Sequence, residues 1–533
     1  MKERRLPPFG GRQQIPPKNL VSRTLRSGCS VSQISKGATA GILLAAFPLL
    51  ASGQTLTTDM QTMQRRQQEL ETQVREQNAQ IQELQRMVRD LAAAQPPAAS
   101  AQPPAAPASE PQRAEESGEL SEPSTYPSKL AAAENPGPEY IGNLGFKIYE
   151  SEKGQIYARL FSYARYLNQK GLDPTYTDYF GNTKTVPQRE DFQLNKFFLP
   201  FSGWFLDPKF RYYLYVWSAN TAQGEAAQVV GAGNLSYVVN SHFTIGAGIT
   251  SLPSVRSTEG QFPYWLGVDD RLIADEFFRG SYTTGIWLKG EVVPGVNYMA
   301  MLGNNLSTLG ISASQLDNTI DTWSAVLSWL PTTHEFGPLG AFGDFEGHED
   351  LATRLGVHFT ASTEDRQSQP GTDTIDNTQI RLTDGSLIFT PGLFGPGITV
   401  EKVQYEMASF DAGLKYRGFS LEAEYYRRKL SQFSGIGVAG IDDITDDGFQ
   451  VQASAMLMPQ LLQLYAGASQ INGDYGDGSE LRAGFNYFPR RSRGLRLNGE
   501  WIGLDNCPVG YTAVPYPVGG DGDVFHVNFE LNF

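Results

Sequence analysis

The chain has 533 residues, 40% hydrophobic and 11% aromatic, and 43 Lys+Arg against 57 Asp+Glu leave a net charge of -14. That balance excludes nucleic acid as a partner over most of the surface, because phosphate binding needs a positive field. Two Cys are too few for a disulfide scaffold or a Cys-based zinc site, and no run of ~20 apolar residues follows the N-terminal region, which excludes a helical membrane bundle but not a transmembrane β-barrel, whose alternating strands average out in hydropathy.

The N-terminal segment is basic and then apolar. Lys2, Arg4, Arg5, Arg12, Lys18, Arg23, Arg26 and Lys36 precede the apolar stretch Ala38 to Leu50, and Ala51-Ser52-Gly53 supplies small residues. This is the three-part pattern of a secretory signal over residues 1–53, with an apolar core too short for a stop-transfer helix. Residues 54–94 carry a heptad. Met60, Gln67, Val74, Ile81 and Val88 fall at a, and Met63, Leu70, Gln77, Leu84 and Leu91 fall at d. A stripe this narrow predicts an α-helical coiled coil rather than a globular helix face. Residues 95–138 are rich in Pro, Ala, Glu and Ser and predict a semi-rigid linker.

From 139 to 533 the pattern is all β. Phe525, Val527, Phe529, Leu531 and Phe533 alternate with Val524, His526, Asn528, Glu530 and Asn532, which is period two. Phe410 to Tyr416, a turn at Arg417-Gly418, and Phe419 to Tyr425 repeat it, as do Leu481 to Tyr487 and Leu495 to Trp501. Further strands centre on 156–167, 191–204, 210–219, 226–239, 242–250, 281–290, 295–304, 321–330, 351–360, 449–458 and 461–471, which brings the count to 16. Short links alternate with mostly long ones (168–190, 251–280, 305–320, 361–407, 431–447 and 504–522), as in a 16-stranded antiparallel transmembrane β-barrel with turns at one end and loops at the other. The link 331–350 departs from this alternation, since its position calls for a short turn.

Three stretches carry a family resemblance. Gln193 to Pro208 (QLNKFFLPFSGWFLDP), Gly285 to Gly290 (GIWLKG) with Tyr298 and Gly303-Asn304-Asn305, and Leu414 to Leu421 (LKYRGFSL) resemble hairpins of the phosphate-selective porin family, the O and P type. The resemblance covers roughly 140–533. It implies an outer-membrane porin of a Gram-negative-type bacterium, a homotrimer, outer-membrane lipid around the barrel, and in some members an arginine ladder for phosphate. The C-terminal Phe533 is a signature shared by outer-membrane barrels.

Enzyme signatures are missing: there is no HExxH pattern and no GxxxxGK[ST] loop. The reading therefore names no catalytic residue, no cofactor and no metal. His334 and His348 beside Glu335, Glu346 and Asp350, and the cluster Asp442, Asp443, Asp446 and Asp447, read as solvated acidic segments. In each strand the polar parity must face the lumen, because lipid does not solvate charge. This sends Arg159, Arg165, Arg211, Lys289, Arg354, Lys415, Arg428, Arg482 and Arg496 inward, together with Asp411, Glu422, Glu424, Glu500 and Glu530, nine basic against five acidic. Residues 139–533 hold 28 basic and 44 acidic residues, so the acidic excess falls in loops and turns. Lys196 resists the sorting, since it shares parity with Phe192, Leu194 and Phe198.

Link 251–280 carries Arg256, Asp269, Asp270, Arg271, Asp275, Glu276 and Arg279 with Tyr264 and Trp265. By resemblance to porin-like barrels it folds inward as a constriction loop, where opposed charges across the gap would set up a transverse field. These features point to passive diffusion of small hydrophilic solutes or ions, with a weak preference for small anions, phosphate among them. The rival reading is an outer-membrane tether whose periplasmic coiled coil contacts the cell wall.

Overall fold

The computed structural model describes residues 140–141, 144–219, 228–260, 263–309, 311, 315, 319–369, 379–511 and 513–533. The expected signal, coiled coil and linker lie outside these residues. Sixteen long strands form one sheet: β1 (Phe161–Leu172), β2 (Glu190–Phe205), β3 (Asp207–Ala219), β4 (Gln228–Asn240), β5 (Phe243–Ser251), β6 (Tyr282–Val293), β7 (Val296–Gly303), β8 (Thr322–Trp329), β9 (Ala352–Asp365), β10 (Thr399–Tyr416), β11 (Phe419–Ile436), β12 (Ile444–Met458), β13 (Leu462–Gly473), β14 (Gly476–Tyr487), β15 (Leu495–Asp505) and β16 (Gly522–Asn532). Each pairs antiparallel with the next, and β16 returns to β1 with Phe529 opposite Ala164. The sheet is closed, which leaves no edge carrying unpaired backbone groups.

Closure is completed at the chain's last residue. The Phe533 N–H donates to the Leu160 carbonyl at 2.9 Å and the Leu160 N–H donates to the Phe533 carbonyl at 2.6 Å. The short strand Gly154–Ala158 extends the line of β1 along the far half of β2, and Gly145–Ser151 pairs with it in turn. The Phe146 ring meets Phe533 edge-on, with centroids 6.2 Å apart.

Alternation gives the wall two opposite faces. In β16, Val524, His526, Asn528, Glu530 and Asn532 are buried while Phe525 and Phe529 are exposed. In β11, Ser420, Glu422, Glu424, Tyr426, Arg428 and Leu430 are buried while Phe419, Leu421 and Tyr425 are exposed. An apolar outside around a polar inside is what a bilayer asks of a barrel, because lipid offers polar groups no hydrogen bonds. The turn expected at Arg417-Gly418 is a two-residue hairpin with φ of 49° and 86°. Both central residues need positive φ in the turn that matches strand twist, and Gly418 supplies one of them without strain.

Lys196 is explained by a bulge. Tyr163 pairs with Lys196, but the next residue, Ala164, pairs with Leu194. Asn195 is the extra residue, and it reverses the parity of β2. Phe192 and Leu194 face out on one side of it, and Lys196 and Phe198 face in on the other.

Deleting Phe533 removes both seam hydrogen bonds and the ring contact with Phe146. The expected outcome is a smaller fraction of assembled, heat-modifiable barrel on gels. Full assembly of the deletion would show that the seam does not depend on its last residue.

Candidate functional site

The lumen is the one place where polar side chains from every strand converge. Its wall is uneven. Strands β9 to β16 and β1 contribute Arg354, Asp411, Lys415, Glu422, Glu424, Arg428, Asp446, Glu480, Arg482, Arg496, Glu500, Glu530 and Arg165, all buried. Strands β3 to β7 contribute mainly aromatic and small residues, with Arg211 and Lys289 as the charges that line the cavity beside them.

The link between β5 and β6 folds into this lumen. Leu252 to Thr258, Asp270 and the short helix α1 (Ile273–Phe278) are buried. The segment docks on the charged wall through Arg165, Arg354, Arg428, Arg482, Arg496, Glu500 and Glu530, which the alternation sends inward, and through Glu480 and Lys196, which the sequence reading did not place there. Arg482 donates to Asp270 and to Glu500, each at 3.1 Å, and also pairs with Glu480. Glu480 accepts from the Ile273 N–H at 2.7 Å, which gives an otherwise unsatisfied α1 N-terminal donor its partner. Arg165 donates to the Val268 carbonyl at 2.9 Å, and Arg496 pairs with Glu530 while donating to the Trp265 carbonyl at 2.9 Å. Lys196 reaches Asp269 at 2.5 Å with its ammonium over the Trp217 ring. Arg354 pairs with Asp411 at 2.7 Å and with Glu259 at 2.5 Å. Arg428 pairs with Asp446 at 2.6 Å and lies over the Phe277 ring.

The loop's own charges are also satisfied locally. Glu276 bonds Arg279 at 2.7 Å and Arg271 at 3.0 Å. Burial alone would raise Glu276, but Arg279 and Arg271 outweigh it and hold its carboxyl below the ordinary value. Burial raises Asp275 in spite of Arg271. Arg271 stacks on Trp265 at 3.9 Å. Apart from Glu259, which also borders open space, the charges of this segment form pairs with one another and with the wall behind them.

The irregular link 331–350 enters the lumen from the turn end. Lys415, fully buried, donates to the Phe336 and Ala341 carbonyls at 2.7 Å each. The two inserted segments meet: Arg256 pairs with Glu422 at 3.0 Å and donates to the Gly340 carbonyl at 3.0 Å, and the Phe342 N–H donates to the Tyr264 carbonyl at 2.8 Å. The Glu424 carboxylate accepts from the Arg256 N–H at 3.0 Å. His348 bridges Glu335 and Asp344, and Asp443, Asp446 and Asp447 pair with Lys429, Arg428 and Arg427 across β11 and β12. Asp344 and Asp446 are thus buried, ion-paired members of the inserted link and the wall, whereas Asp443 and Asp447 pair at the solvent-exposed surface.

Among the described residues, open space lies against β2 to β7. A cavity of about 760 Å³ is lined by Tyr213, Tyr215, Tyr282 and Trp287 with Arg211, Lys289 and Glu259. Glu259 is engaged by Arg354. Arg211 and Lys289 are exposed and have no carboxylate partner among the described residues. Arg159, the remaining expected inward cation, is buried within electrostatic reach of Tyr213 and Tyr264.

One group has ligand-like spacing. Asp270, Glu500 and His526 come within 4.8 Å of one another. Arg482 takes one oxygen of each carboxylate, Asp270 Oδ2 and Glu500 Oε1, and leaves Asp270 Oδ1 and Glu500 Oε2 without a hydrogen-bond partner among the described residues. The Asn528 amide, oriented by Arg165 on its oxygen, donates to His526 Nδ1 at 2.8 Å. His526 Nε2 lies 3.1 Å from Glu500 Oε2 without making a hydrogen bond to it. Inward parity alone could have singled out His526, His358 and the bridging amides Asn486, Asn498 and Asn528. Nothing in the sequence marks their partners.

No protein-family model matches the sequence, and no curated protein matches it. Solved structures similar in fold include outer-membrane expressed OmpT of Vibrio cholerae (12% identity, TM-score 0.45, covering 73% of this chain and 100% of that one). Others are an anion-selective porin from Comamonas acidovorans (10% identity, TM-score 0.45, 72% and 100%) and Salmonella typhi OmpF in complex with daunomycin (14% identity, TM-score 0.43, 73% and 100%).

Replacing Arg482 by Met leaves Asp270, Glu480 and Glu500 without their shared cation. Removing one partner of a buried pair costs ~3–5 kcal/mol, so the denaturant midpoint of the barrel should fall clearly. Arg211→Met, in the open cavity, should leave it unchanged. Equal midpoints for the two variants would show that the Arg482 cluster does not hold the inserted segment.

Proposed function

We propose that the chain is an outer-membrane porin that passes small hydrophilic solutes or ions by diffusion, along the cavity between the inserted segments and strands β2 to β7. The observation that carries this reading is the cavity of about 760 Å³ beside the ion-paired inserted segments, bordered by two cations with no carboxylate partner among the described residues. Arg211 and Lys289 would lower the barrier for an anion without trapping it, since an exposed cation on a wide wall releases what it attracts. This supports a weak anion preference. The resemblance adds phosphate as a candidate solute, but the other inward arginines are engaged by carboxylates and carbonyls, which counts against a continuous ladder of free guanidinium groups.

The same reading takes residues 1–53 as a secretion signal, 54–94 and 95–138 as a periplasmic stalk and linker, the apolar belt as the lipid contact, and the assembly as a homotrimer. The filled half of the lumen favours a second reading, a barrel that chiefly anchors a stalk to the cell wall. Conductance separates the two. A porin gives stable single-channel steps in a planar bilayer, with a reversal potential of anion sign in a KCl gradient. Folded barrel that inserts and passes no current would leave the anchor.

Arg211→Gln with Lys289→Gln should move that reversal potential toward zero or to cation sign, and the shift should shrink as salt rises, because exposed charges are screened beyond about 8 Å at physiological ionic strength. Unchanged selectivity in the double variant would move the selective point elsewhere.

A further inference from the structure

At the loop end three segments meet: 173–189, 379–398 and 506–521. Between them lies a half-open cavity of about 510 Å³, within the range of small-molecule sites. Its lining is divided. Tyr176, Leu387, Tyr511, Val514 and Val518 make an apolar body. The charged residues on its lining are Lys184, Arg189 and Arg381, all basic.

Two of these cations are balanced. Lys184 pairs with Asp178 at 2.9 Å and Arg189 with Asp191 at 2.8 Å. Arg381 is not. It is 7% exposed, and it donates to the Gly385 carbonyl and to Gln379 Oε1 at 2.8 Å each. Its Nε finds no acceptor among the described residues, and no carboxylate reaches it. Burial pulls its pKa down to about 10, with Tyr176 and Cys507 opposing. A buried cation without a counterion is costly, and an anion in the adjoining cavity would relieve that cost. Lys184 stands over the Tyr176 ring at 5.7 Å and reaches Ser386 Oγ at 3.4 Å, whose own proton goes to Asp384 at 3.0 Å, so a second cation borders the same space. The Tyr176 ring is held flat by Gly519, where a Cβ would come within 2.0 Å of it.

We propose that this cavity binds a small amphipathic anion: a carboxylate seated at Arg381 and Lys184, carried on an aromatic or branched apolar body that lies against Tyr176, Tyr511 and Val514. The apolar lining distinguishes this from a site for a bare, strongly hydrated anion, which has nothing to gain from it. The site stands on its own geometry; its use in capturing solute before passage rests on the porin reading.

The test is equilibrium binding to the refolded full chain in detergent, with benzoate, its neutral counterpart benzyl alcohol, and inorganic phosphate as probes. Benzoate should bind saturably, and the other two at least ~10-fold more weakly, the loss that follows from removing one charge-assisted hydrogen bond or the apolar contact. Arg381→Gln should weaken benzoate by at least the same factor. Because Arg381 also ties its own turn, Lys184→Gln provides a second variant on a more exposed side chain, and it should weaken benzoate several-fold. Benzyl alcohol binding as well as benzoate, phosphate binding as well as benzoate, or benzoate affinity unchanged in both variants would each overturn the proposal. Conductance measured on the same preparation keeps the two readings apart. Benzoate binding without conduction retains the site and removes the porin, and conduction without benzoate binding does the reverse.

Discussion

The whole structure depends on one constraint: lipid cannot hydrogen-bond a peptide group. A sheet in that surrounding has to close, and closing it creates an interior that alternate residues must fill. Each strand then exports its apolar parity and imports its polar one. The interior that results is dense with charge, and buried charge is tolerated only when paired and hydrogen-bonded. The seam at Leu160 and Phe533, the clamp at Arg482 and the docking of two links inside the barrel all follow from that sequence of demands.

The distribution of charge around the wall decides where the inserted segments rest. Strands β9 to β16 present the carboxylates and guanidinium groups, and an irregular segment is rich in exposed carbonyls and N–H groups that need partners. Arg165, Arg496 and Lys415 each donate to backbone carbonyls of inserted segments. Glu424 and Glu480 accept from backbone N–H groups of the same segments. The tyrosine-rich wall of β3 to β7 offers fewer charged partners; apolar residues of the inserted segment share buried clusters with Tyr215, Trp217 and Trp287, and a cavity remains beside Arg211 and Lys289.

Strand existence was legible in the sequence because period two survives in every strand, and all sixteen expected strands are present. Their ends were less legible: β10 and β11 run to 18 residues each, and in the first half of β10 the polarity of the alternation is inverted, with Val403, Tyr405 and Met407 buried and Glu401 and Glu406 on the outer face. Lys196 looked misplaced because a single extra residue, Asn195, reverses parity, and a bulge leaves no compositional mark. Parity also told which charges face inward, but not which of them meet. Arg165 and Val268 are 103 residues apart, and Arg496 and Trp265 are 231 apart. Such partners are fixed by the inward path of a link, and no local pattern encodes it. The link 331–350 announced itself only as an exception; its apolar residues Phe336, Phe342 and Phe345 are buried within the lumen because the turn end offers that segment no other core.

Pairing changes what an inward charge can do. A guanidinium group held by two carboxylates and a carbonyl contributes little net field at a distance, and a passing ion would have to displace bonds made in a low-dielectric surrounding to use it. An exposed cation keeps its field and can exchange partners with water. The nine-to-five excess read from the strands is therefore not the quantity that sets the potential in the open part of the lumen. That potential is set by the few side chains the inserted segments leave uncovered, and Arg211 and Lys289 are close enough for their charges to interact. A clamp of many strong pairs on one wall and two cations without carboxylate partners beside the cavity are two results of the same folding problem, and only the second keeps a field that a mobile ion would feel without breaking bonds.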